Sequence, residues 1–78
     1  MDTIVQGGLY RHYKNRKLYK VLMTARYSET EEEFVIYQGL YRCERFGWNP
    51  IWTRPAKMFL EMIQEEDKTI PRFQFVSN

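Results

Sequence analysis

The fold is decided by residues 18–41, which read LYKVLMTARYSETEEEFVIYQGLY. Alternate residues of the first part share one face of a predicted β-strand over Leu18–Arg26: Tyr19, Val21, Met23 and Ala25. The last part, Glu33–Tyr41, is rich in the β-branched and aromatic residues that strands favour. The polar segment between them is typical of a loop. We therefore predict two strands, with Gly39 marking a bulge or sharp bend.

The flanking segments continue this β pattern. Leu9–Lys14 is predicted as a strand that precedes a polar hairpin turn, and Ile51–Arg54 is predicted as a short strand after a loop. Pro55 favours one helical turn over 55–60, which would place Met58 and Phe59 against the sheet. Residues 60–76 are predicted to form a closing hairpin. Short strands at this spacing predict a mainly β fold, a small SH3-like bent barrel of five to six short strands with one short helical turn.

The length of 78 residues allows one domain. A chain this short buries only about 60% of its unfolded surface, and its 17% aromatic content supplies large side chains for a core. We predict a flexible leader over residues 1–7, which ends where Gly7 and Gly8 break the chain, and a single small β domain over residues 8–76.

Charge and cysteine content limit the classes of protein. A net charge of +2 gives no strong attraction to nucleic acid or anionic membranes, although residues 10–26 carry several Lys and Arg and no acid. One cysteine, Cys43, cannot form an internal disulfide. No signal peptide is recognisable, and the longest apolar run, Phe34–Tyr37, is far too short for a membrane span. We expect a cytoplasmic protein with no membrane contact.

The residues for catalysis or metal binding are scarce. A nucleophile needs a base and usually a third group that orients it, and nothing in the spacing of His12 and Cys43 indicates such a pair. One His and one Cys cannot complete a structural zinc site. The acidic cluster at 29–33 lacks the pattern of a calcium loop, and Gly7-Gly8 lacks that of a phosphate loop. We predict a non-enzymatic protein with no catalytic residue, metal site or cofactor.

The strongest functional pattern is the interleaving of aromatic and cationic residues. Trp52 and Arg54 share one strand face, where a guanidinium can bind phosphate or carboxylate and an indole can stack on a planar group. The structural alternative is a core Trp52 with Arg54 paired to Glu29 or Glu61. The predicted ligand-binding residues are Tyr10, Arg11, Tyr13, Arg26, Trp52, Arg54 and Arg72.

Several strings together resemble a family of short bacterial and phage domains, domain-of-unknown-function family 1653. They are GLYRHYK (8–14), ARYSET (25–30), VIY (35–37), LY (40–41), WTRP (52–55), MFLE (58–61) and IPRF (70–73). Two features depart from the family pattern: Tyr27 stands where members often carry His, and the loop over 42–50 is longer. The resemblance implies a small soluble domain with these boundaries, and it implies no activity.

Three hypotheses follow. The first is a binding or interaction module with an aromatic and basic surface, whose partner is a protein, a peptide or a nucleic acid. The second is a sequestering protein for a small anionic or nucleotide-like ligand, for which a homo-oligomer would supply the pocket that 78 residues lack. The third is an enzyme that uses Cys43 or His12. Composition favours the first and leaves open what the partner is and whether the chain forms homo-oligomers.

Overall fold

The computed structural model describes residues Ile4–Asn78. They form nine strands and one short helix: β1 Leu9–His12, β2 Leu18–Arg26, β3 Glu33–Gly39, β4 Arg42–Cys43, β5 Gly47–Trp48, β6 Ile51–Pro55, α1 Ala56–Phe59, β7 Met62–Glu65, β8 Lys68–Pro71 and β9 Phe73–Ser77. The main sheet has the order β6-β3-β2-β1-β9, and β4-β5 and β7-β8 form two small hairpins. The predicted mainly β class with one short helical turn is confirmed.

The predicted SH3-like shape is not confirmed, because the main sheet does not close into a barrel. Strands β6 and β9 are its two edges and are not neighbours. Two local features raise the strand number above the predicted five to six. The predicted loop over 42–50 contains the β4-β5 hairpin, and the predicted last strand breaks at Arg72. Its first half, β8, pairs with β7, whereas its second half, β9, pairs with β1.

One face of the main sheet carries the core. The alternation of side chains along each strand places Tyr10, Val21, Val35 and Phe73 on this face, and all four are buried. Helix α1 lays Phe59 on the same face, where its ring stacks on Phe73 with centroids 4.2 Å apart. The neighbouring Met58, which the sequence predicts against the sheet, is 42% exposed instead, because a single helical turn buries only one side.

The sequence pattern predicts that Tyr19, Val21, Met23 and Ala25 share one face of β2. A bulge in the strand limits the buried part of that face to Tyr19 and Val21. The register against β3 shifts between Val21 and Met23, and a shift of one residue moves the following side chains to the opposite face. Met23 and Ala25 are therefore exposed rather than buried beside Val21. The core is consequently confined to the first half of β2.

The described part of the predicted flexible leader, residues 4–7, is held against the sheet. The Val5 amide donates to the Tyr10 hydroxyl at 3.1 Å, and the Gly7 amide donates to the Val21 carbonyl at 2.8 Å. Ile4 packs against the core. Residues 1–3 of the predicted leader lie outside the described residues.

Candidate functional site

The candidate site is a hollow on the core-bearing face of the sheet, beyond the fully buried residues. It has a volume of about 230 Å³, and we call it the aromatic hollow. Its lining comes from all five strands of the main sheet and from two turns beside them: His12, Asn15, Tyr19, Tyr37, Tyr41, Trp52, Arg54 and Phe73. Strand alternation explains why these residues meet. Tyr37 lies opposite Trp52 across the β3-β6 pair, and His12 lies opposite Phe73 across the β1-β9 pair.

The floor of the hollow is a set of interlocked rings. Tyr19, Tyr37 and Phe73 are buried and meet edge to face with centroids 5.4–5.6 Å apart, a geometry that adds stability beyond the burial of area. The Tyr19 and Tyr41 hydroxyls lie 3.2 Å apart, and the Asn15 amide nitrogen donates to Tyr19 at 3.1 Å. Burial raises the pKa of Tyr19 to about 12, and the hydrogen bond with Tyr41 adds to this rise. The Tyr19 phenol therefore stays neutral at physiological pH.

Gly39 makes room for the Tyr41 ring. A Cβ at this position would lie 2.7 Å from the Cζ of Tyr41, closer than real contacts of this kind. Strand β3 ends at Gly39, and the backbone bends at the next two residues, Leu40 and Tyr41. The bend predicted at Gly39 is thus the feature that seats Tyr41 in the hollow.

The wall of the hollow formed by β6 carries hydrogen-bond donors. The Arg54 Nε donates to the Tyr37 hydroxyl at 3.3 Å, and its guanidinium carbon lies 5.8 Å from the Phe73 ring centroid. This geometry commits one of the five guanidinium N–H groups to Tyr37. The indole N–H of Trp52 is buried and has no partner among the described residues. An orphan donor of this kind costs about 1–3 kcal/mol, and because the nitrogen has almost no exposed surface, a ligand reaches it only after the ring turns.

The pKa of His12 indicates a positive electrostatic potential in the hollow. Its pKa is lowered from the ordinary value, first by burial and then by the charges of Arg54, Arg72 and Lys14. Its Nδ1 accepts a hydrogen bond from the Lys14 amide at 3.1 Å, which leaves the proton of the neutral ring on Nε2. Among residues 4–78, no Asp or Glu lines the hollow. The site therefore presents N–H donors and cationic charge without a balancing carboxylate in its wall.

The predicted ligand-binding residues do not all lie in the aromatic hollow. Trp52 and Arg54 lie in its wall, and both are partly exposed. Arg72 is close enough to lower the pKa of His12, although its guanidinium is paired with Glu61 at 2.6 Å and its Nε is buried without a partner among the described residues. Tyr10 belongs to the core, with 4% of its surface exposed.

Arg11, Tyr13 and Arg26 lie elsewhere. Arg11 and Tyr13 line a separate hollow of about 300 Å³ beside the β7-β8 hairpin, which also includes Lys68 and Glu65. Arg26 ends β2 and donates to the Glu31 carbonyl at 2.9 Å on the exposed surface. The predicted ligand-binding residues are therefore spread over the aromatic hollow, the hollow beside the β7-β8 hairpin, the exposed end of β2 and the core.

Several lining residues were not predicted as part of a site: His12, Asn15, Tyr19, Tyr37, Tyr41 and Phe73. The signal that could have identified some of them is strand alternation, because His12 follows Tyr10 by two residues and Tyr19 precedes Val21 by two. Which rings meet across strands depends on the sheet order, which the sequence did not provide.

Two further features complete the description of possible sites. A larger hollow of about 420 Å³ lies between β9 and the β7-β8 hairpin, and the described residues that line it carry no charge. Within the described residues, no group of three or more His, Cys, Asp or Glu side chains could hold a metal ion, and no helix is long and apolar enough to cross a membrane.

Comparisons with known proteins identify the family of the chain but no activity. The family described as "Protein of unknown function (DUF1653)" matches residues 8–75. The chain is similar to a crystal structure of a DUF1653 protein from Bordetella bronchiseptica, with 34% sequence identity and a TM-score of 0.77 over 94% of this chain and 88% of that one. A search of curated proteins found no match. The chain therefore belongs to the DUF1653 family.

Proposed function

We propose that this protein is a non-enzymatic binding module that receives an anionic group of a partner in the aromatic hollow. The observation that carries the proposal is the Arg54 guanidinium on the same strand face as Trp52, whose buried indole N–H has no partner among residues 4–78, in a wall whose described residues include no carboxylate. A carboxylate or phosphate oxygen would accept from the guanidinium, and from the indole N–H once the Trp52 ring turns it out of its buried position; charge-assisted hydrogen bonds are roughly twice as strong as neutral ones.

The volume of the hollow supports a partner group over a whole small molecule. Sites for drug-sized ligands are about 300–1,000 Å³, whereas this hollow is about 230 Å³. It suits a side chain, a chain end or a single phosphate. The aromatic floor would surround the apolar stem of such a group, while Arg54 and Trp52 bind its charged end.

The chemistry of the lining residues favours binding over catalysis. Tyr19, with a pKa raised to about 12, is a poor nucleophile and a poor general acid at neutral pH. The Nδ1 of His12 already accepts a backbone hydrogen bond. The described part of the lining contains no Cys, Ser or Thr that His12 could activate.

A thermal-shift panel tests the proposal, because a ligand that binds only the folded state raises the melting temperature. The probes are a blocked peptide with one Glu, a nucleoside monophosphate and a short single-stranded oligonucleotide. We expect a saturable rise with at least one probe for the native chain and for Arg26→Gln, and loss of that rise for Arg54→Gln. Arg26 is the matched control because it lies outside the hollow.

The same panel separates the alternatives. A response to the nucleoside monophosphate alone would favour the sequestering protein, and a response to the oligonucleotide that weakens steeply with salt would favour nucleic-acid binding. The proposal fails if no probe gives a saturable rise, or if Arg54→Gln responds as the native chain does.

A further inference from the structure

The edge of the sheet beside the aromatic hollow has backbone groups that pair with no strand within residues 4–78. The Gly39 amide donates to the Pro50 carbonyl, and residue pairs in this register alternate between bonded and non-bonded. Trp52 and Arg54 therefore direct their backbone groups toward β3. Ile51 and Thr53 direct theirs away from the sheet, where β6 has no neighbouring strand.

The composition of β6 fits an exposed edge. Pro55 lies opposite Phe34, at a position where a backbone N–H would point away from the sheet, and proline is tolerated at such edge positions. The open part of the edge thus consists of the N–H and C=O groups of Ile51 and Thr53. This is enough to pair with a short extended segment.

The exposed apolar residues next to this edge indicate a contact surface. Trp48, Ile51 and Phe46 are 72%, 60% and 59% exposed. The ring of Phe46 meets Trp52 edge to face at 5.7 Å, so it borders the wall of the hollow. Large aromatic residues at this exposure are typical of binding surfaces rather than of isolated surface positions.

We propose that the partner is an extended peptide segment that pairs with β6 as an added strand and places an acidic side chain in the aromatic hollow. This inference rests on the proposed function and names its partner. Charge complementarity favours the peptide: a residue opposite Arg54 on the added strand would have its Cβ about 4.5–5.5 Å from that of Arg54. A Glu at that position would reach the Arg54 guanidinium. An apolar residue two positions from the Glu would contact Trp52, and one three positions from it, on the other face, would contact Ile51.

Peptide binding by strand addition takes its affinity from backbone hydrogen bonds and its specificity from side-chain pockets. The two parts are separable here, since Thr53 supplies the edge and Arg54 supplies the hollow. A substitution at Thr53 should leave binding in the hollow intact, and a substitution at Arg54 should leave strand pairing at the edge intact.

The experiment uses a blocked heptapeptide, acetyl-Val-Val-Thr-Glu-Thr-Val-Val-amide, and its counterpart with Gln in place of Glu. The palindromic sequence allows pairing in either direction, and the blocked ends leave Glu as the only charge. We expect the Gln peptide to bind about tenfold more weakly. Binding of the Glu peptide should slow hydrogen exchange at the Ile51 and Thr53 amides, whereas acetate, which fills only the hollow, should leave those amides unchanged.

Two variants at one position test the edge. Thr53→Pro removes the outward N–H, and Thr53→Ala keeps it while removing the hydroxyl that donates to the Val35 carbonyl at 3.1 Å. We expect Thr53→Pro to weaken peptide binding about fivefold to tenfold relative to Thr53→Ala, with acetate binding equal in the two variants. Acetate binding also verifies that Thr53→Pro is folded.

Each way in which the proposal could fail gives a different experimental result. Peptide binding without slowed exchange at Ile51 and Thr53, or with equal affinity in the two Thr53 variants, overturns strand addition and leaves the proposed function standing. Loss of response to both acetate and peptide overturns the proposed function as well. An oligonucleotide that displaces the Glu peptide and binds more tightly would make nucleic acid the partner. Concentration-dependent protection of the two amides in the free chain would assign the edge to a second copy.

Discussion

Replacement of Phe59 by alanine tests whether the single helical turn closes the core. Phe59 is 1% exposed, stacks on Phe73, and meets Tyr10 and Tyr37 edge to face at 5.2 and 5.3 Å. Removal of a buried Phe side chain costs about 3–5 kcal/mol. A domain of this size has a total stability of about 4–12 kcal/mol, at roughly 0.05–0.15 kcal/mol per residue. The substitution therefore removes a large part of the stability of the fold.

The loss can be stated as a melting temperature. Unfolding entropy of about 2.1 cal/mol/K per residue makes 1 kcal/mol equivalent to about 6 °C for this chain, so Phe59→Ala should lower Tm by about 18–30 °C in a circular dichroism melt. Phe59→Leu keeps most of the volume but loses the ring contacts, and should cost about 6–9 °C. The control is Met58→Ala, which changes an exposed neighbour and should stay within about 3 °C. Equal effects of Phe59→Ala and Met58→Ala would refute this account of the core.

Three other predictions concern the hollow. Gly39→Ala should lower Tm and shift the aromatic resonances of Tyr41, because the new methyl group meets that ring; an unchanged Tyr41 spectrum would contradict the packing. The lowered pKa of His12 means that protonation favours the unfolded state, so stability should be fully present above the ordinary value of 6.5 and should fall as pH drops below it. Chemical denaturation at pH 7.5 and 5.5 measures this fall, which His12→Asn should reduce. Binding of an anion in the hollow should tighten over the same pH range, because the anion favours protonated His12, and His12→Asn should abolish that tightening; pH-independent binding in the native chain would exclude His12 from the site.

The sequence predicted the strands well because their signals are local. The strand over Leu18–Arg26 was predicted with its observed bounds, since β propensity and turn residues act over a few positions. The face of Met23 was predicted wrongly, because the bulge in β2 depends on the register against β3. The open sheet was missed for a related reason: a strand sequence does not encode which strand lies at the edge.

Prediction of the site was limited in the same way: patterns within one strand could be recognised from the sequence, and contacts between strands could not. Trp52 and Arg54 were selected together because alternation within one strand is local, and the structure places both in the wall of the hollow. Arg26 was included for its charge alone, and it lies at the exposed end of β2. The contribution of His12 depends on the nearby charges of Arg54 and Arg72, which come together only in three dimensions.

The most direct test of the account compares the two indole N–H resonances in one ¹⁵N-labelled sample during titration with acetate. The Trp52 N–H is buried without a partner among the described residues and Trp48 is 72% exposed, so the second ring is an internal control. The Trp52 resonance should move downfield and saturate while that of Trp48 stays in place. Equal movement of both resonances, or none in either, would contradict the claim that the hollow receives an anionic group.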